Sequence, residues 1–211
     1  MSRKYILALC SCLIISICGD AQQKDMKFSV TIAPAVLHSV VFQPGFQYSF
    51  SNWALLGEVS HVAAKKMGFD EGYWTRGQVE LKRFLTRDAV KFYCSFQTAY
   101  SVRKFVDADS GFYFTDRQVD SGAVYSSAII HSPVLSFAPK IGAEINLGRT
   151  IFIDAFIGLG VRTLFNNYDA RNVTPSIAFH KKEWGPDAAW RFDQTETRFH
   201  VPMGLRLGAR F

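Results

Sequence analysis

The sequence predicts an all-β fold, an antiparallel up-and-down transmembrane β-barrel of about eight strands. Three observations point there. Apolar residues recur with period two through most of the chain, tight connections alternate with long ones, and the residues that alternate with the apolar set include Lys, Arg, Asp and Glu. A soluble sandwich would bury the apolar face against a second sheet, whereas a membrane barrel turns it to lipid and fills its interior with the polar set.

Taken in order, residues 1–21 read as a cleaved secretory signal. Arg3 and Lys4 precede an apolar run from Tyr5 to Cys18 that is too short to span a bilayer as a helix, and Gly19 and Ala21 supply small residues for cleavage. Cys18 follows Ile17 rather than a small residue, so a lipoprotein site is set aside. Three of the four cysteines leave with this segment; Cys94 remains, and no intrachain disulfide is expected. Loss of Arg3, Lys4 and Asp20 takes the formal charge from +6 to +5. The basic residues are scattered among apolar strands rather than gathered on one helix or patch, which argues against a nucleic-acid partner. Residues 22–211 show no linker or repeat and are read as one domain.

Strands are expected at 28–37, 41–50, 53–63, 73–86, 89–105, 128–147, 150–166 and 196–211. The first two carry Pro34 and Pro44, each of which removes a ladder donor and marks an irregular or edge-like place. Near residue 90, Val90, Phe92, Cys94, Phe96, Tyr100 and Val102 face out against Lys91, Tyr93, Ser95, Gln97 and Arg103. Near 135, Leu135, Phe137, Pro139, Ile141, Ala143 and Ile145 alternate with Ser136, Lys140, Gly142, Glu144 and Asn146. Near 150, Ile151, Ile153, Ala155, Ile157, Leu159 and Val161 alternate with Asp154, Gly158, Gly160 and Arg162. In the last strand Phe199, Val201, Met203, Leu205, Leu207, Ala209 and Phe211 alternate with Arg198, His200, Arg206 and Arg210. Turns near Ser51-Asn52, Thr86-Arg87-Asp88 and Gly148-Arg149 are tight, and the connections near 64–72, 106–127 and 167–195 are long. With an even strand count the tight turns share one side, the periplasmic side of a bacterial barrel.

The chain resembles the small bacterial outer-membrane β-barrel families, in the OmpA/OmpX-type size class, over essentially all of residues 22–211. The most specific element is the final strand ending on Phe211, similar to the signal by which the barrel-assembly machinery recognises its clients. The resemblance implies a Gram-negative cell outer membrane, contact with its lipid and lipopolysaccharide, and a monomer. It selects no subfamily and no activity.

A barrel of about eight strands is wide enough for packed side chains or one small ligand. Counting residues from the tight turns puts Lys82, Lys91, Glu144, Asp154 and Arg206 at similar depth on inward positions, a structural charge cluster that plugs the lumen. Glu144 and Asp154 face one another on neighbouring strands, with Lys91 and Arg206 on the strands flanking them. Glu58, Glu80, Arg76, Lys140 and Arg162 extend the network upward. His131-Ser132 and His38-Ser39 are adjacent pairs near external strand ends, as is His61, but no orienting acid is fixed beside them and their spacing is not that of a metal site. No catalytic residue, cofactor or metal is therefore expected. The aromatics suit two girdles, with Tyr48, Phe50, Trp53 and Phe84 at one rim and Tyr73, Trp74, Tyr100, Phe165 and Tyr168 at the other. The external loops carry Phe112, Tyr113, Phe114, Trp184 and Trp190, as packing for the rim or as contacts for an extracellular or periplasmic partner. The expected role is structural or interactive through these loops. A narrow channel or small-ligand transport barrel is the alternative, a lipid-modifying enzyme is third, and a soluble exported calycin-type barrel is the alternative fold.

Overall fold

The computed structural model describes residues 24–34, 40–63, 71–86, 89–108, 111–116, 121–148, 150–177 and 193–210. The segment read as a signal, His38, Phe211, and the loop tryptophans Trp184 and Trp190 lie outside the described residues. Every described element is a β-strand: β1 Lys24–Pro34, β2 Val40–Phe50, β3 Trp53–Ala63, β4 Glu71–Phe84, β5 Val90–Asp107, β6 Gly111–Asp116, β7 Ser121–Tyr125, β8 Ser127–His131, β9 Val134–Leu147, β10 Ile151–Gly158, β11 Gly160–Phe165, β12 Asn167–Arg171, β13 Thr174–Ile177, β14 Thr195–His200 and β15 Met203–Arg210.

All pairings are antiparallel. They form a twelve-stranded sheet and a three-stranded sheet, β13-β7-β6. In the larger sheet β1 to β5 pair in sequence, β5 pairs with β9, β9 with β10, β10 with β15, and β15 with β1. Eight strands are thus hydrogen-bonded on both sides. The two-residue turn Ser51-Asn52 joins β2 to β3, and in it Ser51 takes φ 50°, the left-handed conformation that lets a tight hairpin follow the strand twist.

Eight uninterrupted strands were expected, and the described chain has fifteen. Three of the expected strands divide. The 128–147 stretch breaks at Ser132-Pro133, where proline offers no donor and the Ser132 N–H turns to the Arg103 carbonyl at 3.0 Å. The 150–166 stretch breaks at Leu159, whose N–H goes to the Pro139 carbonyl at 3.2 Å while that of Gly158 goes to Pro202 at 2.8 Å. The last stretch breaks at Val201-Pro202. The remaining extra strands, β6, β7, β12 and β13, come from segments taken as loops. Pro44 is tolerated because the β2–β3 register starts at Gly45, so its missing N–H costs no bond on that side.

The two faces are inverted relative to a water-soluble barrel. Ile141 is 65% exposed, Leu159 61% and Val59 60%, with Phe92, Phe96, Met203, Leu205 and Leu207 also exposed. Gln43, Gln47, Glu58, Gln78, Glu80, Lys82, Gln97, Lys140, Glu144, Asp154 and Arg206 are buried. The calycin-type alternative, with its apolar face inward, does not fit this arrangement.

Aromatic rings complete the interior wall. Tyr93 leans over Gly142, where a Cβ would run into its ring, and Phe156 leans over Gly204, where a Cβ would lie 2.8 Å from the ring edge. Phe84 is buried edge-on against Tyr93 at 5.9 Å, so it belongs to this wall rather than to a rim girdle. At the opposite end Phe105, Tyr113, Ala123, Tyr125, Ala128, Ile130 and Tyr168 make a small apolar core that ties β6, β7 and β12 to the ends of β5 and β8. Tyr113 stacks on Tyr168 at 4.6 Å, so this loop aromatic packs the rim.

Candidate functional site

The site is assembled by register. Asp154 on β10 stands opposite Arg206 on β15 and Glu144 on β9, and Glu144 stands opposite Lys91 on β5. Period-two alternation then points Arg206, Asp154 and Glu144 to the same side, together with Glu58 from β3, Glu80 and Lys82 from β4, and Lys140 from β9.

Arg206 is the hub. Its Nη1 donates to Asp154 Oδ2 at 2.9 Å, its Nη2 to Glu80 Oε2 at 2.6 Å and Glu58 Oε2 at 3.0 Å, and its Nε to Glu58 Oε1 at 3.2 Å. Glu58 is therefore gripped by two nitrogens of one planar fork, the geometry that distinguishes arginine from lysine. Lys82 Nζ donates to Asp154 Oδ2 at 2.6 Å, and Lys140 Nζ to Glu80 Oε2 at 2.5 Å. Neutral donors take up the remaining carboxylate oxygens. Tyr93 Oη donates to Asp154 Oδ1 at 2.6 Å, Ser95 Oγ to Glu80 Oε1 at 2.7 Å, and Gln78 Nε2 to Glu58 Oε2. Gln97 orients that amide by donating to Gln78 Oε1 at 2.7 Å, and Gln47 Nε2 lies 3.5 Å from Glu144 Oε2.

Lys82, Glu80 and Asp154 have no exposure to solvent. Removing such charges from water is costly, and the cost is offset only when every lone pair and proton finds a partner. Every carboxylate oxygen of Glu58, Glu80 and Asp154 has a donor, from Arg206, Lys82, Lys140 or a neutral side chain. The ring of Phe156 supplies a further surface, with Lys140 Nζ and the Arg206 guanidinium carbon each 4.1 Å from its centre. The result is a charge-balanced layer across the interior in which these three bases and three acids are all engaged.

Of the residues selected from sequence, Lys82, Asp154 and Arg206 meet directly, and Glu144 sits beside them in the ladder. Lys91 is half-buried with its ammonium 5.6 Å from the Phe84 ring centre. Glu58, Glu80 and Lys140, placed higher by counting, are in contact with Arg206 or with one another. Tyr93 had no assigned role, and nothing in its spacing marks it as the Asp154 partner. Arg76 and Arg162 lie farther along, on the side of the three-stranded sheet.

The adjacent His131 and Ser132 do not form a dyad. His131 is exposed, whereas Ser132 is fully buried, donating through Oγ to Asn166 Oδ1 at 2.5 Å and accepting from Arg103 Nη2 at 2.7 Å. His61 bonds Thr75 Oγ1 at 2.7 Å and stacks on Tyr73. Among the described residues no three His, Cys, Asp or Glu side chains group as metal ligands.

No family model matches the chain, and no curated protein matches it. Among solved structures it is similar to a major outer membrane protein from Thermus thermophilus, with a TM-score of 0.52 and 11% identity, over 90% of this chain and 100% of that one. At that identity the likeness speaks for the fold: all-β, antiparallel, and of the kind built by an outer-membrane β-barrel protein.

Proposed function

We propose that the chain is an integral β-barrel of a bacterial outer membrane, in which β1–β5, β9, β10 and β15 close into one membrane-spanning wall of eight strands. Its role on this reading is structural or interactive through the external loops, and the lumen is plugged by the Arg206-centred layer. The observation that carries the proposal is the inversion of polarity. Fully buried Lys82, Glu80 and Asp154 lie inside a wall whose outer residues, Ile141, Leu159 and Val59, are 60–65% exposed. In water so large an apolar belt is an aggregation surface, and in hydrocarbon it is the stable arrangement. Backbone pairing supports the same reading for these eight strands, each of which is hydrogen-bonded to a neighbour on both sides.

The partners on this reading are outer-membrane lipid and lipopolysaccharide around the belt and the barrel-assembly machinery during insertion. The molecule works as a monomer, and no catalytic residue is assigned. Membrane fractionation followed by gel migration of unboiled and boiled protein tests the proposal. Recovery in the outer membrane with a heat-dependent mobility shift is the expected result; a soluble periplasmic protein without a shift overturns it. Planar-bilayer recording tests the plug separately. The layer predicts no steady conductance, and a stable open channel would move the reading to narrow transport.

A further inference from the structure

Beyond the balanced layer, toward the three-stranded sheet, the interior becomes cationic. Arg76 on β4, Arg103 on β5, Arg162 on β11, and Arg198 and His200 on β14 all occupy positions on the inward alternation. Two of them are answered by protein groups. Arg198 Nη2 lies 2.7 Å from Glu196 Oε2, and Arg103 donates its Nε and Nη2 to the carbonyl and Oγ of Ser132 at 2.9 and 2.7 Å. Arg76 lies in the field of Glu58, a carboxylate that Arg206 already holds. Arg162 stands directly opposite Arg198 in the β11–β14 ladder, like charge against like. Arg76 and Arg162 both lie within electrostatic range of His200, and Arg103 within range of Arg162. Among the described residues, the buried side-chain atoms without a hydrogen-bond partner are Trp74 Nε1, Arg76 Nε and Arg162 Nε, which donate, Glu196 Oε1, which accepts, and the ring nitrogen His200 Nδ1.

Each of these features costs free energy in an empty recess. A buried donor without an acceptor forfeits its solvation, and facing like charges repel. An anion that accepts from several directions removes the cost of the orphan guanidinium donors and of the facing charges together. We infer that the recess bounded by Arg76, Arg162 and His200 binds a phosphate group, free or on a small soluble ester. Guanidinium forks match the several oxygens of phosphate better than a spherical halide, which accepts without the paired geometry. Phosphates of the bilayer are separated from the recess by the strand wall, so the ligand comes from solution. This goes beyond the membrane reading and needs only the inward polarity already described.

The test uses full-length protein in non-ionic detergent, with its folded state checked by heat-dependent gel migration, titrated calorimetrically with inorganic phosphate and with glycerol phosphate at constant ionic strength in chloride. Saturable binding of one or both is expected. Tighter binding of inorganic phosphate assigns the free ion, and tighter binding of glycerol phosphate assigns an ester. Arg162→Gln should weaken binding by about tenfold or more, the worth of one charge-assisted hydrogen bond. The same variant should melt no lower than wild type without phosphate, because it relieves the opposition to Arg198. Arg76→Gln provides the same binding readout from the other wall. Folded wild-type protein that binds neither probe, or affinities within about twofold of wild type in both variants, overturns the inference. Either result stands apart from whether the protein fractionates with the outer membrane.

Discussion

The two halves of the interior use the same residue types to opposite ends. Around Arg206, cations and carboxylates are matched, and each oxygen of Glu58, Glu80 and Asp154 has a donor. Around Arg162, cations face cations, and buried donors lack protein acceptors. A buried charge is therefore uninformative about function until its partners are counted. Complete matching marks structure, and incomplete matching marks a place where something else belongs.

Substitutions that break the contrast should rank accordingly. Arg206→Ala leaves Glu58, Glu80 and Asp154 buried with too little compensation and should cost at least about 3–5 kcal/mol, measured as a lowered urea midpoint in micelles. Leu205→Arg puts a charge on the outer face beside that layer. In liposomes it should destabilise by about 2–4 kcal/mol, the penalty for arginine near the bilayer midplane, whereas a loss under about 0.5 kcal/mol would mean that this face meets water. Gly142→Ala forces a methyl into the Tyr93 ring and to 2.7 Å from the Ala155 carbonyl oxygen. Overpacking of that kind costs about 1–3 kcal/mol, and a heat-shift series would place its melting between wild type and the Arg206 variant. Smallest and opposite in sign, Arg162→Gln should stabilise the phosphate-free protein by about 0.2–1 kcal/mol, the scale of a cross-strand charge pair. A marked loss instead would show that Arg162 belongs to the structural set.

Much of the lower layer was legible in the sequence because strand register depends on turn position. The tight turn at Gly148 fixes Asp154 against Glu144, and the alternation of the last strand brings Arg206 beside them. The centre of the network was harder to read, because height counted along a strand ignores the stagger between strands and the reach of long side chains. Glu58, Glu80 and Lys140 counted as higher and yet engage Arg206 or its partners. Lys91 counted as central and lies over Phe84 instead. Strand interruptions were hidden for a different reason. Pro133 and Pro202 sit within convincing alternation, and only the redirected N–H groups of Ser132 and Gly158 show that pairing has changed. The small loop strands do not stand out in the sequence, since four to six residues of mixed polarity carry too little period.

The position of Arg206 on β15, last of the described strands, has a consequence for how the molecule is made. Its acceptors are 52, 126 and 148 residues away along the chain, on β10, β4 and β3. Contacts so distant in sequence carry the entropy cost of closing the intervening loops. A wall without β15 would gather three carboxylates with Lys82 and Lys140 but without their shared cation, and would be unstable at its centre as well as at its edges. Arg206 thus ties the interior charge balance to the placement of β15: a strand in the wrong register, or one missing altogether, leaves the carboxylates without that cation.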